Sequence, residues 1–373
     1  MLQTGQYPIG HPTQALFHDQ YIAQIFLHVC PATLPIDRMP YPAVPRFITA
    51  RARWLAWLCT LGALAAPVAR FLPADQAPSL QWLVELPAHW QWLYLVVGAT
   101  SLVLLMLSGR SGMGKGWVAL PALAALVLGG VFLWQSAMLP RGAEPADPGA
   151  VLTVGTANLN AATTDFGPLT AWLALADAPD VVFLQEFTEL AQQALTGNPA
   201  VAARYPHRLA VPQPDPFGLA VLSRHPLSDL QTLQPQDLRD TLRLRATVAW
   251  NGEAVHLSAL HPMPPLDAGF AQARDRALVQ EAQHLTAHPG GLALMAGDLN
   301  ITPWARGLFA VDGSMRRANG TAPSWPNAFG WLSVLPLDHV LASSGWQVVG
   351  GGIGPDLGSD HRPVVVLLVA AGP

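Results

Sequence analysis

Six short polar clusters in the C-terminal part of the chain carry side chains able to bind a hard cation or move a proton. They are Asn158 with Asn160, Gln185-Glu186, His261, Asp298-Leu299-Asn300, Asp338-His339 and Ser359-Asp360-His361. Each one follows or opens a short apolar run. One such cluster alone is what any turn contains, because Asn, Asp and His are turn residues. Six in sequence point to chemistry. Carboxylate and amide oxygens suit Mg²⁺-type cations, and imidazoles exchange protons near neutral pH. Together they have the composition of a site for a divalent metal and a phosphoester.

The runs that must position these residues read as alternating strands and helices. Val151–Ala157, Asp180–Leu184, Gly218–Ser223, Leu292–Ala296, Asp338–Ala342 and Pro363–Val369 are predicted strands. Leu242–Trp250 and Ala254–Leu260 are two more, joined by Asn251-Gly252, a strong hairpin signal. Pro168–Ala176, Thr188–Leu195 and Gly269–Ala287 have helical spacing. Hairpins mixed with crossovers predict two packed sheets with helices outside them, not one parallel sheet.

Seven segments resemble the endonuclease/exonuclease/phosphatase superfamily, which includes DNase I-like nucleases, inositol-polyphosphate phosphatases and bacterial sphingomyelinases. They are TANLN (Thr156–Asn160), DVVFLQE (Asp180–Glu186), LAVLSRHPL (Leu219–Leu227), ALHPMPP (Ala259–Pro265), MAGDLNITPW (Met295–Trp304), LDHVL (Leu337–Leu341) and GSDHRPV (Gly358–Val364). They occur in order between Val151 and Val369. The resemblance implies a DNase I-like four-layer α/β/β/α sandwich that hydrolyses phosphodiester or phosphomonoester bonds by metal-activated water. Mg²⁺ is the implied cofactor, with Mn²⁺ as a substitute.

The resemblance also assigns roles. Glu186 is a direct metal ligand, Asp360 is a further one, and Asn158 belongs to the metal set as the residue that positions Glu186. Asn160 stands where some members have an aspartate, so that corner carries less charge. Asp298 orients or deprotonates the attacking water, and Asn300 hydrogen-bonds a phosphoryl oxygen. His361 assists at the phosphate, with Asp338 fixing its tautomer. His261 is a candidate acid for the leaving oxygen. His339, His256, His207 and His225 read as structural or surface residues. Arg224 reads equally as a phosphate contact or a surface charge.

Upstream, the chain changes character. Of its 373 residues, 51% are hydrophobic and only 12% charged, where a soluble domain carries about 25% charged. That composition excludes a disordered chain. The excess lies in three runs, Trp54–Leu72, Trp90–Ser108 and Trp117–Leu139. Each is long enough to cross a hydrocarbon core of about 30 Å. The expectation is therefore three transmembrane helices over residues 54–139, a tail at 1–53 and a Pro/Gly-rich linker at 140–150. Residues 151–373 would form the hydrolase domain. A translation start at Met39, leaving 1–38 untranslated, is a further expectation. Arg46, Arg51 and Arg53 precede the first run, and Arg110 and Lys115 separate the second from the third. Between Leu72 and His89 there is no Lys or Arg. The positive-inside rule then places the tail in the cytoplasm, and the C-terminal domain on the outer face of a bacterial inner membrane.

Charge bears on the partner. From Val151 onward, 12 Arg and no Lys face 18 Asp and Glu. A protein gripping several phosphates of a duplex needs a basic groove; only Arg239/Arg243/Arg245 and Arg316/Arg317 cluster. The substrate expectation spans nucleic acid, a lipid headgroup or a small phosphoester, with no protein partner implied. Beside the membrane-anchored phosphoesterase stand two other readings: a nuclease outside the cytoplasmic membrane, and a non-catalytic scaffold or binding domain. The complete set of polar clusters weighs against the scaffold. The two cysteines, Cys30 and Cys59, give neither a disulfide framework nor a zinc site.

Overall fold

The structure, a computed structural model, describes residues 46–72, 77–107, 124, 127–130, 139–143, 145, 147–287 and 291–371. Three helices come first: α1 (Arg46–Phe71), α2 (Pro78–Ala88) and α3 (Gln91–Leu107). Then follow β1 (Leu152–Asn158), α4 (Gly167–Ala174), β2 (Val181–Gln185), α5 (Glu189–Gly197), α6 (Pro199–Arg204), β3 (His207–Val211) and β4 (Leu219–Ser223). The second half runs β5 (Leu227–Leu233), β6 (Arg243–Trp250), β7 (Glu253–Leu260), α7 (Ala268–Leu285), β8 (Leu292–Asp298), α8 (Arg306–Phe309) and β9 (Met315–Arg317). It ends with β10 (Asp338–Ser343), β11 (Trp346–Ile353) and β12 (Val364–Ala370).

The strands make two six-stranded sheets, ordered β11-β12-β1-β2-β4-β3 and β5-β6-β7-β8-β10-β9. Each sheet has one parallel pair, β1 with β2 and β7 with β8, and the remaining pairs are antiparallel. A parallel pair needs a helical crossover, and α4 and α7 supply it. The consequence matters for the site. Asn158, Gln185, Leu260 and Asp298 close the four parallel strands, so the polar clusters that follow them gather at strand C-termini.

Strand periodicity of two builds the layers. In β2, Val181 and Phe183 point into the core between the sheets, while Val182 and Leu184 point outward against α4, α5 and α6. In β8, Leu292, Leu294 and Ala296 face inward; Ala293 and Met295 face Ala277, Leu278, Ala282 and Leu285 of α7. Both faces are buried, which is why these strands read as continuous apolar runs. Full burial of a side chain such as Phe183 contributes about 1.5–3 kcal/mol. Trp250 and Trp346 meet across the central core with ring centroids 5.5 Å apart. The result is an α/β/β/α sandwich. The Asn251-Gly252 hairpin forms as predicted, both residues having positive φ.

The upstream region departs from expectation. Among the described residues, one helix, Phe47–Phe71, is by itself long and apolar enough to cross a membrane. The second expected span, Trp90–Ser108, coincides with α3, and α2 precedes it at a bend of 51°. At about 1.5 Å per residue, the 17 residues of α3 reach only about 26 Å. Pro87 near the end of α2 cannot donate a backbone hydrogen bond, which ends that helix. The third run lies almost wholly outside the described residues, as do residues 1–45 with Met39. Small residues bring α1 and α3 together: a Cβ on Gly62 would lie 2.5 Å from the Tyr94 ring. The stretch read as a loop, Leu72–His89, holds α2. The expected linker is also partly built in. Leu139 is buried in the central core, and Gly142 and Val348 exchange backbone bonds with Val348 and Pro140.

Candidate active site

Asp298 ends β8 directly opposite Asp338, which opens β10 in antiparallel register. Gly297 makes this placement possible, because a Cβ there would lie 1.9 Å from the Leu260 carbonyl. One Asp298 oxygen, Oδ2, is then approached by three groups. Asn158 Nδ2 donates to it at 3.0 Å, His261 Nε2 lies at 3.5 Å, and His361 Nε2 at 3.6 Å. Its other oxygen accepts the Asn300 backbone N–H at 2.9 Å. Asp298 is buried. Burial opposes its charge, but the charge of His361 and the contact with His261 prevail and hold the carboxyl well below the usual range.

His361 lies between two carboxylates. Its Nδ1 is 2.8 Å from Asp338 Oδ2. Burial works against the imidazolium, yet Asp338 and Asp298 outweigh it and push the pKa up to about 10. His261 is likewise raised: burial opposes its charge, and Asp298, then Glu186, outweigh that. Its Nδ1 faces the Pro216 carbonyl at 3.0 Å.

Glu186 follows β2 with φ 54°, left-handed backbone that costs a residue of its kind roughly 1–2 kcal/mol. Asn160 (φ 57°) and Asn300 (φ 48°) share that region. Asn adopts this conformation readily, so Glu186 is the unusual position of the three. Glu186 Oε1 accepts from Asn158 Nδ2 at 2.9 Å, and Oε2 from the Ala161 N–H at 2.7 Å. Asn158 sits between two of the carboxylates. Its Nδ2 faces both carboxylates, and its Oδ1 accepts the Asn160 N–H at 2.9 Å, so it holds Glu186 and Asp298 in place. Asn160 Nδ2 donates to Asp360 Oδ1 at 2.9 Å. Asn300 Nδ2 donates to the Pro262 carbonyl at 2.9 Å, leaving its second amide hydrogen available.

The residues given catalytic or metal roles from the sequence lie on this network, as does Asn160, though Asp360 sits at its exposed rim. Trp325 was missed: its indole donates to Asp360 Oδ2 at 3.1 Å, and its ring lies 6.4 Å from that of His361. It comes from a loop with no periodic signal. Arg224 is not at the site. It pairs with Asp180 at 2.6 Å, at the opposite end of β2, roughly 20 Å from Glu186 by strand rise. His339 is buried with Nε2 on the Ile301 carbonyl, a structural role.

Acceptor oxygens are in excess. None of Glu186, Asp298, Asp338 or Asp360 forms an ion pair with an arginine among the described residues. Asp338 Oδ1 is buried without a hydrogen-bond partner. Ligand atoms of Asp298, Asp338 and His361 all lie within 4.8 Å of one another, a group able to hold a metal ion.

No curated protein matches the chain. Among solved structures, it is similar to an endonuclease/exonuclease/phosphatase from Beutenbergia cavernae (21% identity, TM-score 0.50, covering 60% of this chain and 72% of that one). A humanized TDP2 of D. rerio aligns at 19% identity and TM-score 0.49, over 59% of this chain and 99% of that one. Sphingomyelinase C from Streptomyces griseocarneus aligns at 20% identity and TM-score 0.44, over 59% and 99%. The model of the Endonuclease/Exonuclease/phosphatase family matches residues 155–361, from the middle of β1 to His361 itself, and this chain belongs to that family.

Proposed function

We propose that the chain is a membrane-anchored, divalent-metal-dependent hydrolase of phosphoesters. The observation that carries the reading is the convergence on Asp298 Oδ2 of Asn158 from one sheet and of His261 and His361 from the loops before and after it. A carboxylate kept ionised in this way accepts a hydrogen bond from the attacking water. The His361 imidazolium, fixed by Asp338, faces developing charge on the phosphoryl oxygens. Asn300 offers its free amide hydrogen to one of those oxygens. His261 gives a proton to the leaving oxygen.

The residues present fit a divalent cation: hard oxygen donors, four carboxylates and no arginine to neutralise them. Glu186 and Asp360 would hold it. The Asp298–Asp338–His361 group is a second candidate set, in which His361 Nδ1 is already engaged by Asp338 Oδ2. Mg²⁺, or Mn²⁺ in its place, would supply charge neutralisation at the phosphoryl oxygens.

Side-chain pairing bears on the substrate. Arg243 and Arg245 both bind the buried Glu281, and Arg317 is buried against the carbonyls of Asn319 and Gly320. Little basic surface is left to grip a duplex. A small phosphoester or a lipid headgroup is the better fit.

The anchor reading draws support from α1 and from α2, which lies between α1 and α3 and packs on α7. The connection between the first two apolar segments and the hydrolase domain then share one side. That connection lacks Lys and Arg, which favours the extracytoplasmic side. The deciding experiment is hydrolysis by the full-length chain in detergent, with and without Mg²⁺. Sphingomyelin, a chromogenic phosphodiester, duplex DNA and RNA would be compared. Metal-dependent release from the first two supports the proposal; hydrolysis of none overturns it.

A further inference from the structure

Three loops around the candidate site are each hydrogen-bonded to the helical segment that precedes the sandwich. After β7, the Pro265 carbonyl accepts from Trp82 Nε1 at 2.8 Å. After β8, Thr302 Oγ1 meets His89 Nδ1 at 2.9 Å, and Trp304 is fully buried against Ala66 and Ala88. Before β10, the Thr321 carbonyl accepts from Trp92 Nε1 at 2.7 Å. These loops begin with His261, contain Asn300 and lead to Trp325, respectively.

The deepest link is ionic. Glu85 on α2 is 3% exposed, and Arg274 on α7 is 1% exposed. Glu85 Oε1 accepts from Arg274 Nη2 at 2.6 Å. The same guanidinium donates to Asp275 Oδ1 through Nε and Nη2, and through Nη1 to the Asn300 backbone carbonyl at 3.1 Å. Asp275 alone neutralises Arg274. Burying a second carboxylate is costly, and a plain helix contact is met more cheaply by apolar side chains. What the pair adds is direction. With Glu85 and Asp275 holding two edges of the planar guanidinium, one of the two Nη1 hydrogens is directed at the Asn300 carbonyl. Asn300 has left-handed backbone, so its geometry depends on such outside contacts.

We propose that Glu85 is a positioning residue for the hydrolytic site: through Arg274 it fixes the Asn300 peptide, making the N-terminal helices part of the catalytic apparatus as well as an anchor. This rests on the reading of Asn300 as a donor to the phosphoryl oxygen. A displaced donor of this kind costs up to about 10²-fold in rate.

The test uses the full-length chain in detergent, with Mg²⁺ and whichever phosphoester the wild type hydrolyses. Glu85→Gln keeps the volume and removes the charge. It should lower kcat about 10-fold with KM within about twofold. In an Asn300→Ala background it should cause no further loss, because the two act in series. Amide exchange at residues 299–304 should quicken while exchange in β2 stays unchanged. Should Glu85→Gln not fold, Trp82→Phe removes the indole N–H that binds Pro265, together with part of the ring, and should quicken exchange at 262–266 and lower kcat. Unchanged kcat and loop exchange in the folded variant overturn the proposal, and so does a multiplicative loss in the Asn300→Ala background. A wild type that hydrolyses no phosphoester overturns the preceding section and this inference together. Hydrolysis by the wild type with an unaffected Glu85→Gln overturns this inference alone.

Discussion

His361 Nδ1 lies 2.8 Å from Asp338 Oδ2, deep in the site, with the opposite ring nitrogen 3.6 Å from Asp298. The first contact fixes the orientation of the ring and turns the other nitrogen toward the reacting region. His361→Ala and Asp338→Ala should each lower turnover by at least about 10²-fold. The double variant should be little worse than His361→Ala, since the residues act as one unit. Thermal melts must accompany the kinetics, because each single change strands a buried polar partner. Multiplicative losses among folded proteins would give Asp338 a separate role.

The same pair predicts a pH dependence of stability. His361 is raised from 6.5 to about 10 in the folded chain. Its charged form therefore stabilises the fold fully below about pH 6.5, and the contribution disappears as pH rises through about 10. In metal-free buffer, the wild-type melting temperature should fall across that window, while His361→Gln should change less. Parallel curves for the two proteins would show that the imidazolium contributes no stability.

On the proposed reading Glu186 holds the metal: each of its oxygens accepts one hydrogen bond and retains a free lone pair. Glu186→Gln preserves shape and removes the charge. Turnover should drop and the Mg²⁺ concentration for half-maximal activity should rise, with the melting temperature nearly unchanged. Full activity at limiting Mg²⁺ would move the metal to another ligand set.

Much of the sandwich was legible because its central strands are buried on both faces, so β2 and β8 appear as unbroken apolar runs. The four strands that escaped, β3, β5, β9 and β11, are the edges of the two sheets. β5 is exposed along most of its length, β9 has three residues, and β11 contains three consecutive glycines. Such segments lack the alternation that identifies a half-buried strand. The site residues were legible because strand C-termini punctuate apolar runs with polar ones. Trp325 and Glu85 were not, since their roles depend on contacts between segments far apart in sequence. The α2 helix was hidden by length: eleven residues between two apolar runs read as a loop.

Membrane topology gives a separate prediction. With the tail inside and the connection between α1 and α2 outside, an alkaline phosphatase fused after Gly149 should be active. A cytosolic reporter at the same place should be silent. The reverse result would invert the orientation, although α2 and the sandwich would still have to share a side, because Glu85 and Arg274 are in contact.

Gly297 offers a test that is independent of metal and substrate. It precedes Asp298 in β8, and a Cβ added there would lie 1.9 Å from the Leu260 carbonyl oxygen. That atom is backbone in the neighbouring strand β7, so no side-chain rotation relieves the clash. Either β7 and β8 separate or the Gly297 peptide turns. The first disrupts the pairing that runs from Val255 with Leu292 to Ala259 with Ala296. The second swings Asp298 away from Asn158. Overpacking of this kind costs about 1–3 kcal/mol, and for a domain of this size that lowers the melting temperature by several degrees. Gly297→Ala should thus melt earlier and lose turnover. Gly252→Ala, at a turn with open space around it, should leave turnover unchanged, with only a modest strain penalty from its positive φ. Wild-type activity and melting in Gly297→Ala would mean that β7 and β8 are farther apart than described here, and that Asp298 reaches the site by another route.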